Sequence, residues 1–310
     1  KKIYDFSGKK KIWFGLSLAL IALIIAFSVI RGVEIAIEFK GGTIITYSYE
    51  GDVKSSDVQS DIETLLETPV TIQQGENLSG DSKTFSISFS YDQGLSSEKQ
   101  NSLTSLMQEK YPDSNFEVLD SNDVNPTSGR EFFLKCVVAA ILAAVLIILY
   151  IAWRFKKISG WSAGVCAVIA LIHNLVFVFG TFAVIGFEIN SNFIAVILTI
   201  LGYSVNDTIV VYDRIRENKK IMPKASFTEL VNVSTSQSLT RSIRTSITTV
   251  STMIIVSVVA YIYGVESILS FSVPMIVGMI AGTYASLCIA SPLWVWWNER
   301  KNAKTVKSKK

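Results

Sequence analysis

Six apolar segments dominate this chain of 310 residues, and each has the length of about 20 residues that a helix needs to cross the hydrocarbon core of a bilayer. Hydrophobic residues make up 49% of the chain and charged residues only 18%, whereas an average soluble domain is about 25% charged. The sequence therefore predicts a polytopic α-helical membrane protein with six transmembrane helices. In chain order the segments are Ile12–Ile30, Phe132–Trp153, Gly160–Ile185, Ile189–Tyr212, Ser242–Tyr263 and Leu269–Trp297. The first follows Lys9-Lys10-Lys11 but has no small-residue cleavage site, so we expect it to be a retained helix.

One long polar block, residues 32–130, separates the first two apolar segments and is long enough for a small domain. Its hydrophobic periodicity predicts the order βαββαβ, which is that of a ferredoxin-like α+β domain. The strands are predicted near Thr43–Tyr49, Val70–Gln74, Thr84–Tyr91 and Phe116–Leu119, and the helices near Ser55–Leu66 and Ser96–Lys110, after a start signal at Leu95–Glu98. Asp120–Gly129, rich in Asn, Asp, Ser and Pro, is interpreted as the linker back to the membrane.

Lys and Arg are distributed unevenly among the polar segments, and cytoplasmic loops accumulate these residues. They cluster at residues 1–11, 154–157, 214–224 with Arg241 and Arg244, and 300–310, and are absent from the short loops at 186–188 and 264–267. All six tryptophans fall at the same ends of the helices, as an interfacial aromatic belt would place them. We therefore expect both termini to be cytoplasmic and the acidic block 32–130 to be extracytoplasmic. The domains would be residues 1–31 (N-terminus and first helix), 32–130, a five-helix region at 131–298 and a basic tail at 299–310.

The fourth apolar segment contains a carboxylate, Asp207. A charged side chain at membrane depth costs about 2.5–3.5 kcal/mol on insertion scales and usually marks an ion or proton path. On a helical wheel, the small and polar residues of the segment share one arc of about 140°. They are Thr199, Gly202, Tyr203, Asn206, Asp207 and Asp213, with Val210 among them. A buried structural hydrogen bond or ion pair is the alternative for Asp207, whereas Asp213, beside Arg214, is interpreted as a solvated interfacial charge.

The fifth apolar segment opens with a stripe that is too polar for lipid, formed by Arg241, Arg244, Thr245, Thr248 and Thr252. Because the fourth and fifth helices are antiparallel neighbours, Arg241 enters from the side on which Asp207 lies. The pattern supports a charge pair or proton gate between Asp207 and Arg241. Snorkelling to lipid headgroups is the alternative for the arginines, and it suits Arg244 better than Arg241.

Two further patterns lie within the third and sixth segments. His173, the only histidine, has Asn174 beside it and could relay protons or form a neutral bridge between helices. Small residues recur at every fourth position at Gly278, Gly282, Ser286 and Ala290, which lets another helix approach closely. The three cysteines lack metal-ligand spacing, and the chain contains no phosphate-binding loop or nucleophile motif. We expect no enzymatic activity, no cofactor or metal, and no nucleic-acid partner.

Four stretches resemble the signature motifs of the SecD/SecF family. Ile37–Thr43 is similar to the family's Gly-Ile-Asp-Phe-x-Gly-Gly motif, and Gly129-Arg130-Glu131 to its Val-Gly-Arg-Glu. Gly202–Asn218 and Ser238–Ser246 resemble the fourth-helix signature and the segment that follows it. The family commonly has His-Asp where this chain has His173-Asn174, so a titrating carboxylate is missing from the third helix.

The resemblance implies a half-transporter of the resistance-nodulation-division type in the cytoplasmic membrane. It would pair with SecD beside the SecYEG channel and a YidC-type insertase, and use the proton motive force to pull unfolded polypeptide across the membrane after the SecA ATPase has pushed it. The coupling ion would be the proton, and its path would include Asp207, Arg241 and Asn206. His173, Tyr203, Asp213 and Thr245 are further candidates for that path, and the extracytoplasmic domain would move against substrate.

Two other classes of function fit the sequence less closely. The chain could be a scaffold that stabilises the SecYEG channel or an insertase assembly, with its polar helix faces serving only for packing. It could also be half of a small-molecule exporter, although one compact domain of about 100 residues is small for a substrate pocket.

Overall fold

The computed structural model describes residues 3–51, 53–76, 83–89 and 97–307, and within these ranges the chain forms a membrane bundle and a small α+β domain. The helices are α1 (Lys10–Arg31), α2 (Ile37–Lys40), α3 (Ser55–Leu66), α4 (Ser97–Lys110), α5 (Pro126–Arg154), α6 (Gly160–Ile185), α7 (Ser191–Ile221), α8 (Phe227–Ile262), α9 (Glu266–Ala285) and α10 (Ser291–Lys307). The strands are β1 (Gly42–Tyr49), β2 (Val70–Glu76), β3 (Lys83–Phe89) and β4 (Glu117–Val124).

Six helical spans in the described ranges are long and apolar enough to cross a membrane, as the sequence predicts. The sixth consists of α9 and the start of α10, joined by a π-helical turn at Ser286–Ala290. Helices α7 and α8 extend well beyond the predicted limits of Tyr212 and Ser242, because polar helical turns outside the bilayer carry no hydropathy signal. Asn190 caps α7 by accepting a hydrogen bond from the Phe193 N–H, and Ser226 caps α8 by accepting one from the Glu229 N–H.

The α+β domain is an antiparallel four-stranded sheet of order β2-β3-β1-β4, with α3 and α4 as its two helices. This confirms the predicted βαββαβ arrangement. Alternate residues of β1 and β3 point into one apolar core, in which Tyr47, Phe85 and Phe116 are fully buried. The predicted strand end at Ser90–Tyr91 and the predicted helix start at Leu95–Ser96 lie outside the described residues.

The predicted linker Asp120–Gly129 is wrong. Strand β4 continues to Val124, and α5 begins at Pro126, with the Asn125 side chain accepting a hydrogen bond from the Thr127 N–H. The polar residues of β4 resemble a loop in composition because β4 lies at the sheet edge and exposes nearly all its side chains. Asp123 is held in the sheet by the Thr43 hydroxyl, which donates to its carboxylate at 2.6 Å. Helix α5 therefore begins more than one helical turn before residue 131.

Helices α6 and α9 form the centre of the bundle, whereas α5 and α8 lie outside and bury few side chains. The small-residue seam of α9 allows this close packing. A Cβ added at Gly278 would lie 2.8 Å from Ile200 and 2.9 Å from Val178, and one added at Gly282 would lie 3.3 Å from Ser204. The prediction that this seam admits a neighbouring helix is confirmed.

The segments rich in Lys and Arg meet at the end of the bundle remote from the α+β domain, which we call the basic end. Lys10 pairs with Glu299 at 2.9 Å, and Glu299 also accepts a hydrogen bond from Thr228. Lys219 donates to the Lys157 carbonyl at 3.0 Å. The N-terminal segment, the α5–α6 turn, the α7–α8 hairpin and α10 are thus tied together.

Candidate functional site

Asp207 lies on the side of α7 that faces α8. The Ser242 hydroxyl of α8 donates to its Oδ1 at 2.5 Å. The other carboxylate oxygen, Oδ2, is buried and has no hydrogen-bond partner within the described part of the chain. Because buried polar atoms are nearly always paired, this oxygen has capacity for a proton or a water molecule. The carboxylate is thus held by one oxygen and open at the other.

Ser242 belongs to a row of serines at every fourth position of α8, and the sequence reasoning missed it. Ser234, Ser238 and Ser242 are buried, and Ser246 is partly buried. The row faces α7 and α9. Ser234 accepts a hydrogen bond from Asn218 at 2.8 Å, and the Ser246 hydroxyl contacts the Thr283 hydroxyl. The signal was the spacing of four, which places neighbouring serines on one side of the helix, about a third of a turn from the arginine stripe.

Arg241 is exposed, and no ion pair in the described ranges joins it to Asp207, although the two groups interact electrostatically. The predicted contact pair is therefore replaced by a serine hydrogen bond, with the guanidinium further out. Arg241 lines a cavity of about 690 Å³ between α7 and α8 at the basic end. Asn206, Asp213 and Lys220 also line this cavity, so water there would reach the residue next to Asp207.

The exposed face beside Asp207 is polar on both helices. On α7 it includes Thr199, Gly202 and Asn206, and a Cβ added at Gly202 would meet no atom within 4 Å. On α8 it includes Arg241, Arg244, Thr245, Thr248 and Thr252, all exposed. We call these residues together the open polar face. Its depth within membrane-spanning helices makes it unsuited to contact with lipid tails.

Tyr203 and Thr245 lie on either side of the contact between α7 and α8. The Tyr203 hydroxyl lies 3.1 Å from the Thr249 hydroxyl, and Thr249 donates to the Thr245 carbonyl at 2.5 Å. Thr245 itself is exposed on the open polar face. Tyr203 is therefore a packing contact one helical turn from Asp207, toward the α+β domain.

Asp213, interpreted from the sequence as a solvated interfacial charge, is partly exposed and forms ion pairs, though not with the adjacent Arg214. It pairs with Arg154 of α5 at 3.2 Å and with Arg216 at 2.9 Å. Arg214 bonds instead to Gln237 at 2.5 Å and to Glu217 at 2.6 Å. The i,i+3 spacing brings Asp213 and Arg216 together on the helix, which adjacency in sequence does not.

His173 and Asn174 are buried in the bundle core, away from Asp207. With its amide oriented to satisfy both ends, Asn174 donates to the carbonyls of Ala281 and Ala170 and accepts from Ser204 at 2.6 Å. It therefore joins α6, α7 and α9. His173 Nδ1 lies 3.3 Å from the Asn174 side chain, and its Nε2 has no hydrogen-bond partner among the described residues. Thr208 and Ser286 continue the polar contacts, with hydroxyls 2.8 Å apart.

The end of α7 near the α+β domain is fastened to the segment that leads into that domain. The Glu38 carboxylate of α2 accepts hydrogen bonds from both the backbone N–H and the hydroxyl of Ser191, at the first residue of α7. Ile35 and Ile189 form a parallel bridge, in which the Ala36 N–H donates to the Ile189 carbonyl at 3.0 Å. The helix that carries Asp207 is thus fastened to α2, which immediately precedes the first strand of the α+β domain.

A search of the described residues finds no group of three or more His, Cys, Asp or Glu side chains that could hold a metal ion. The candidate site consists of one carboxylate, its serine donor and a nearby arginine.

Comparison with known proteins identifies the family. Residues 104–300 match the family described as protein export membrane protein SecD/SecF, C-terminal. The protein translocase subunit SecF of Petrotoga mobilis is 32% identical over 96% of this chain and 97% of its own length. The SecDF protein of Bacillus subtilis is 32% identical over 96% of this chain and 38% of its own length.

A solved structure gives the same assignment. The crystal structure of SecDF from Thermus thermophilus, a translocon-associated membrane protein, superimposes with a TM-score of 0.78 at 32% identity. It covers 96% of this chain and 39% of the SecDF chain. Sequence and fold agree over nearly the whole length, and the chain belongs to the SecD/SecF family of protein-export membrane proteins.

Proposed function

We propose that this accessory subunit of the Sec protein translocase couples proton movement through Asp207 to the export of unfolded polypeptide, together with a SecD partner. The observation that carries the proposal is the state of the Asp207 carboxylate. One oxygen is fixed by Ser242, and the other is buried and unsatisfied within the described structure. A carboxylate in a membrane span is costly and is usually retained for a function of this kind.

Access to Asp207 is expected from the basic end. Asn206 and Arg241 both line the cavity between α7 and α8. A guanidinium in that position would stabilise the ionised form of Asp207 and repel a hydronium ion until the helices move. Arg241 is thus proposed as a gate that acts at a distance, rather than as a permanent ion-pair partner.

The open polar face supports a SecD partner. Exposed arginines and threonines in the span need a polar or protein environment, because lipid tails offer no hydrogen bonds. In the fused SecDF relatives, a segment like this chain makes up less than half of a longer protein. We propose that SecD covers the open polar face of α7 and α8 and completes the environment of Asp207. This pair would in turn bind the SecYEG channel and a YidC-type insertase in a larger assembly.

Proton binding at Asp207 would be transmitted along α7 to its fastening at Glu38 and Ser191, and so to the α+β domain. Moving one charge through 100 mV is worth about 2.3 kcal/mol, which biases a two-state equilibrium by about fiftyfold. The excess of Lys and Arg at the basic end supports a cytoplasmic-membrane orientation with both termini in the cytoplasm. The α+β domain would then meet the emerging polypeptide outside. The coupling ion is the proton, and the cycle needs no enzymatic step or cofactor in this subunit.

The proposal is tested in proteoliposomes that contain SecYEG, SecA, SecD and this chain, with an imposed proton gradient. Asp207→Asn keeps the size and a hydrogen-bonding group, so assembly should be normal, but stimulation of export by the gradient should be abolished. The matched control is Asp113→Asn in the α+β domain, which should keep full stimulation.

Full gradient-dependent export by Asp207→Asn would contradict the proposal. A scaffold role makes a different prediction: Asp207→Asn and Arg241→Ala would lower the yield of the complex with SecD. An uncoupler would then reduce export equally for the wild type and for the variants.

A further inference from the structure

A second cavity, unrelated to Asp207, lies at the basic end between α5, α6 and α10. Its volume is about 570 Å³, and it opens toward the outside of the bundle. Helices α5 and α6 diverge from a tight turn there, since a Cβ added at Gly160 would lie 2.4 Å from the Ala152 carbonyl oxygen. The C-terminal helix α10 closes the third side. No residue of the proposed proton path lines this groove.

The mouth of the groove is positively charged. Lys156, in the turn after α5, and Lys301, in α10, both line it, and both side chains are exposed. The described residues that line the groove include no Asp or Glu. Two primary amines from separate elements thus face one space, and their charge complements that of an anion.

Three tryptophans form the walls of the groove. Trp153 and Trp161 are each 66% exposed and Trp297 is 39% exposed, although indole rings are among the most apolar surfaces in a protein. Indole prefers the headgroup region of a bilayer, where its ring meets acyl chains and its N–H meets polar groups. Three exposed indoles around one groove place it at the membrane–water boundary.

Apolar side chains continue the groove toward the hydrocarbon core. Leu149 lies one to two helical turns before Lys156, and Val165 lies one turn after Trp161, so both are further from the basic end. The order from outside to inside is therefore ammonium groups, indole rings and aliphatic side chains. A phospholipid has its phosphate, glycerol and acyl chains in that same order.

We propose that this groove binds one anionic phospholipid, with its phosphate between Lys156 and Lys301 and its acyl chains along Leu149 and Val165. The apolar inner part of the groove favours a lipid over a free phosphate ion, because a phosphate ion has no acyl chains to contact it. The pair of ammonium groups distinguishes an anionic lipid from a zwitterionic one.

The test is native mass spectrometry of the full chain in detergent, titrated separately with phosphatidylglycerol and with phosphatidylcholine. The wild type should retain one phosphatidylglycerol in preference to phosphatidylcholine. Each Lys near the surface contributes about 1 kcal/mol toward anionic lipid, so the double variant Lys156→Gln/Lys301→Gln should weaken phosphatidylglycerol binding by about thirtyfold. The control Lys11→Gln/Lys224→Gln removes the same charge at the basic end outside the groove and should bind like the wild type.

Several outcomes would overturn the proposal. Equal retention of both lipids by the wild type would show that the lysines do not select a headgroup. An unchanged affinity in the double variant, or equal losses in both double variants, would place bound lipid elsewhere. Displacement of phosphatidylglycerol by millimolar inorganic phosphate would identify the occupant as a free anion. A dimer lost on Lys156→Gln/Lys301→Gln would identify it as a second copy of the chain.

Discussion

The α+β domain and the membrane bundle both have apolar cores, but they differ in where their polar side chains lie and in what they expose. In the domain, Tyr47, Phe85 and Phe116 are fully buried, and the polar residues of β4 are exposed. In the bundle, Asn174 and Ser204 are buried, whereas Leu142 is 56% exposed on α5. The difference follows from the surroundings, since water solvates exposed polar groups and lipid tails favour exposed apolar ones. A polar group inside the bundle therefore has to have a partner or a function.

Helix α8 departs from both patterns, and the departure falls on the surface that we propose to be functional. Its buried face carries serines, and its exposed face carries Arg241, Arg244 and threonines. Neither water nor lipid alone suits a membrane-spanning helix of this kind. The comparison therefore predicts a protein partner on α8, whereas α5 can meet lipid directly.

The largest effect should come from truncating the core of the α+β domain. Phe85 is fully buried, and the centre of its ring lies 4.4 Å from that of Tyr49. Phe85→Ala should destabilise the domain by about 3–5 kcal/mol, because it removes apolar contacts and leaves a cavity. Leu142→Ala, on the exposed face of α5, should cost only about 0.5 kcal/mol. Hydrogen exchange of the β1 and β3 amides and of α5 in the full chain measures both, and equal effects would break the comparison.

A smaller effect is expected from removing a buried amide in the bundle. Asn174→Ala loses the contacts to Ser204, Ala170 and Ala281, and should destabilise the bundle by about 1 kcal/mol, the usual size for polar contacts between membrane helices. Asn206→Ala is the control, because that amide is exposed on the open polar face and should not matter in the isolated chain. Unfolding by titration with sodium dodecyl sulfate, followed by circular dichroism, compares them. Equal stability of both variants would show that burial of the amide is unimportant.

The smallest effect concerns the junction, where the two regions meet. Burial raises the pKa of Glu188, in the α6–α7 loop; Glu34 and Glu38 also raise it, while Thr71 of β2 and Lys40 lower it. A carboxyl whose folded pKa is raised stabilises the folded state below its unfolded pKa, and this contribution is lost as pH rises through the folded pKa. Burial of the loop at the junction should therefore be more stable in acid, whereas the Thr71 contact taken alone favours the ionised carboxylate.

Glu188→Gln keeps this side chain neutral and should remove the pH dependence. The measurement is hydrogen exchange of residues 186–190, taken as the ratio of wild type to variant at each pH from 4.5 upward. A ratio that does not change with pH would show that Glu188 does not titrate at the junction.

How much could be predicted differed between the two regions for physical reasons. Apolar periodicity was sufficient for six spans and for the order βαββαβ, because burial in lipid or in a core requires that pattern. It failed at Asp120–Gly129, where an exposed edge strand has the composition of a loop. It also failed at the ends of α7 and α8, where polar helical turns leave the membrane.

The candidate site was predicted only in outline. The helical wheel places Asp207 and Asn206 near one face of α7, and in the structure Asn206 lines the α7–α8 cavity while Asp207 accepts a hydrogen bond from Ser242 of α8. Ser242 was missed because only charged residues were considered as partners for Asp207. A serine carries no charge, and only its spacing with Ser234, Ser238 and Ser246 indicated a shared face. One partner of Asp213 is Arg154 of α5, which lies far away in sequence. Such contacts follow from packing rather than from local pattern.

The most direct test of the central claim asks whether Asp207 takes up and releases a proton. Infrared difference spectra of the reconstituted chain, recorded with SecD after a pH step, detect the C=O stretch of a protonated carboxyl group in the membrane. We predict a carboxyl band that changes with the pH step in the wild type and in Asp113→Asn, and that is missing in Asp207→Asn. Identical bands in all three proteins would contradict the account, because the proton would then bind at another group.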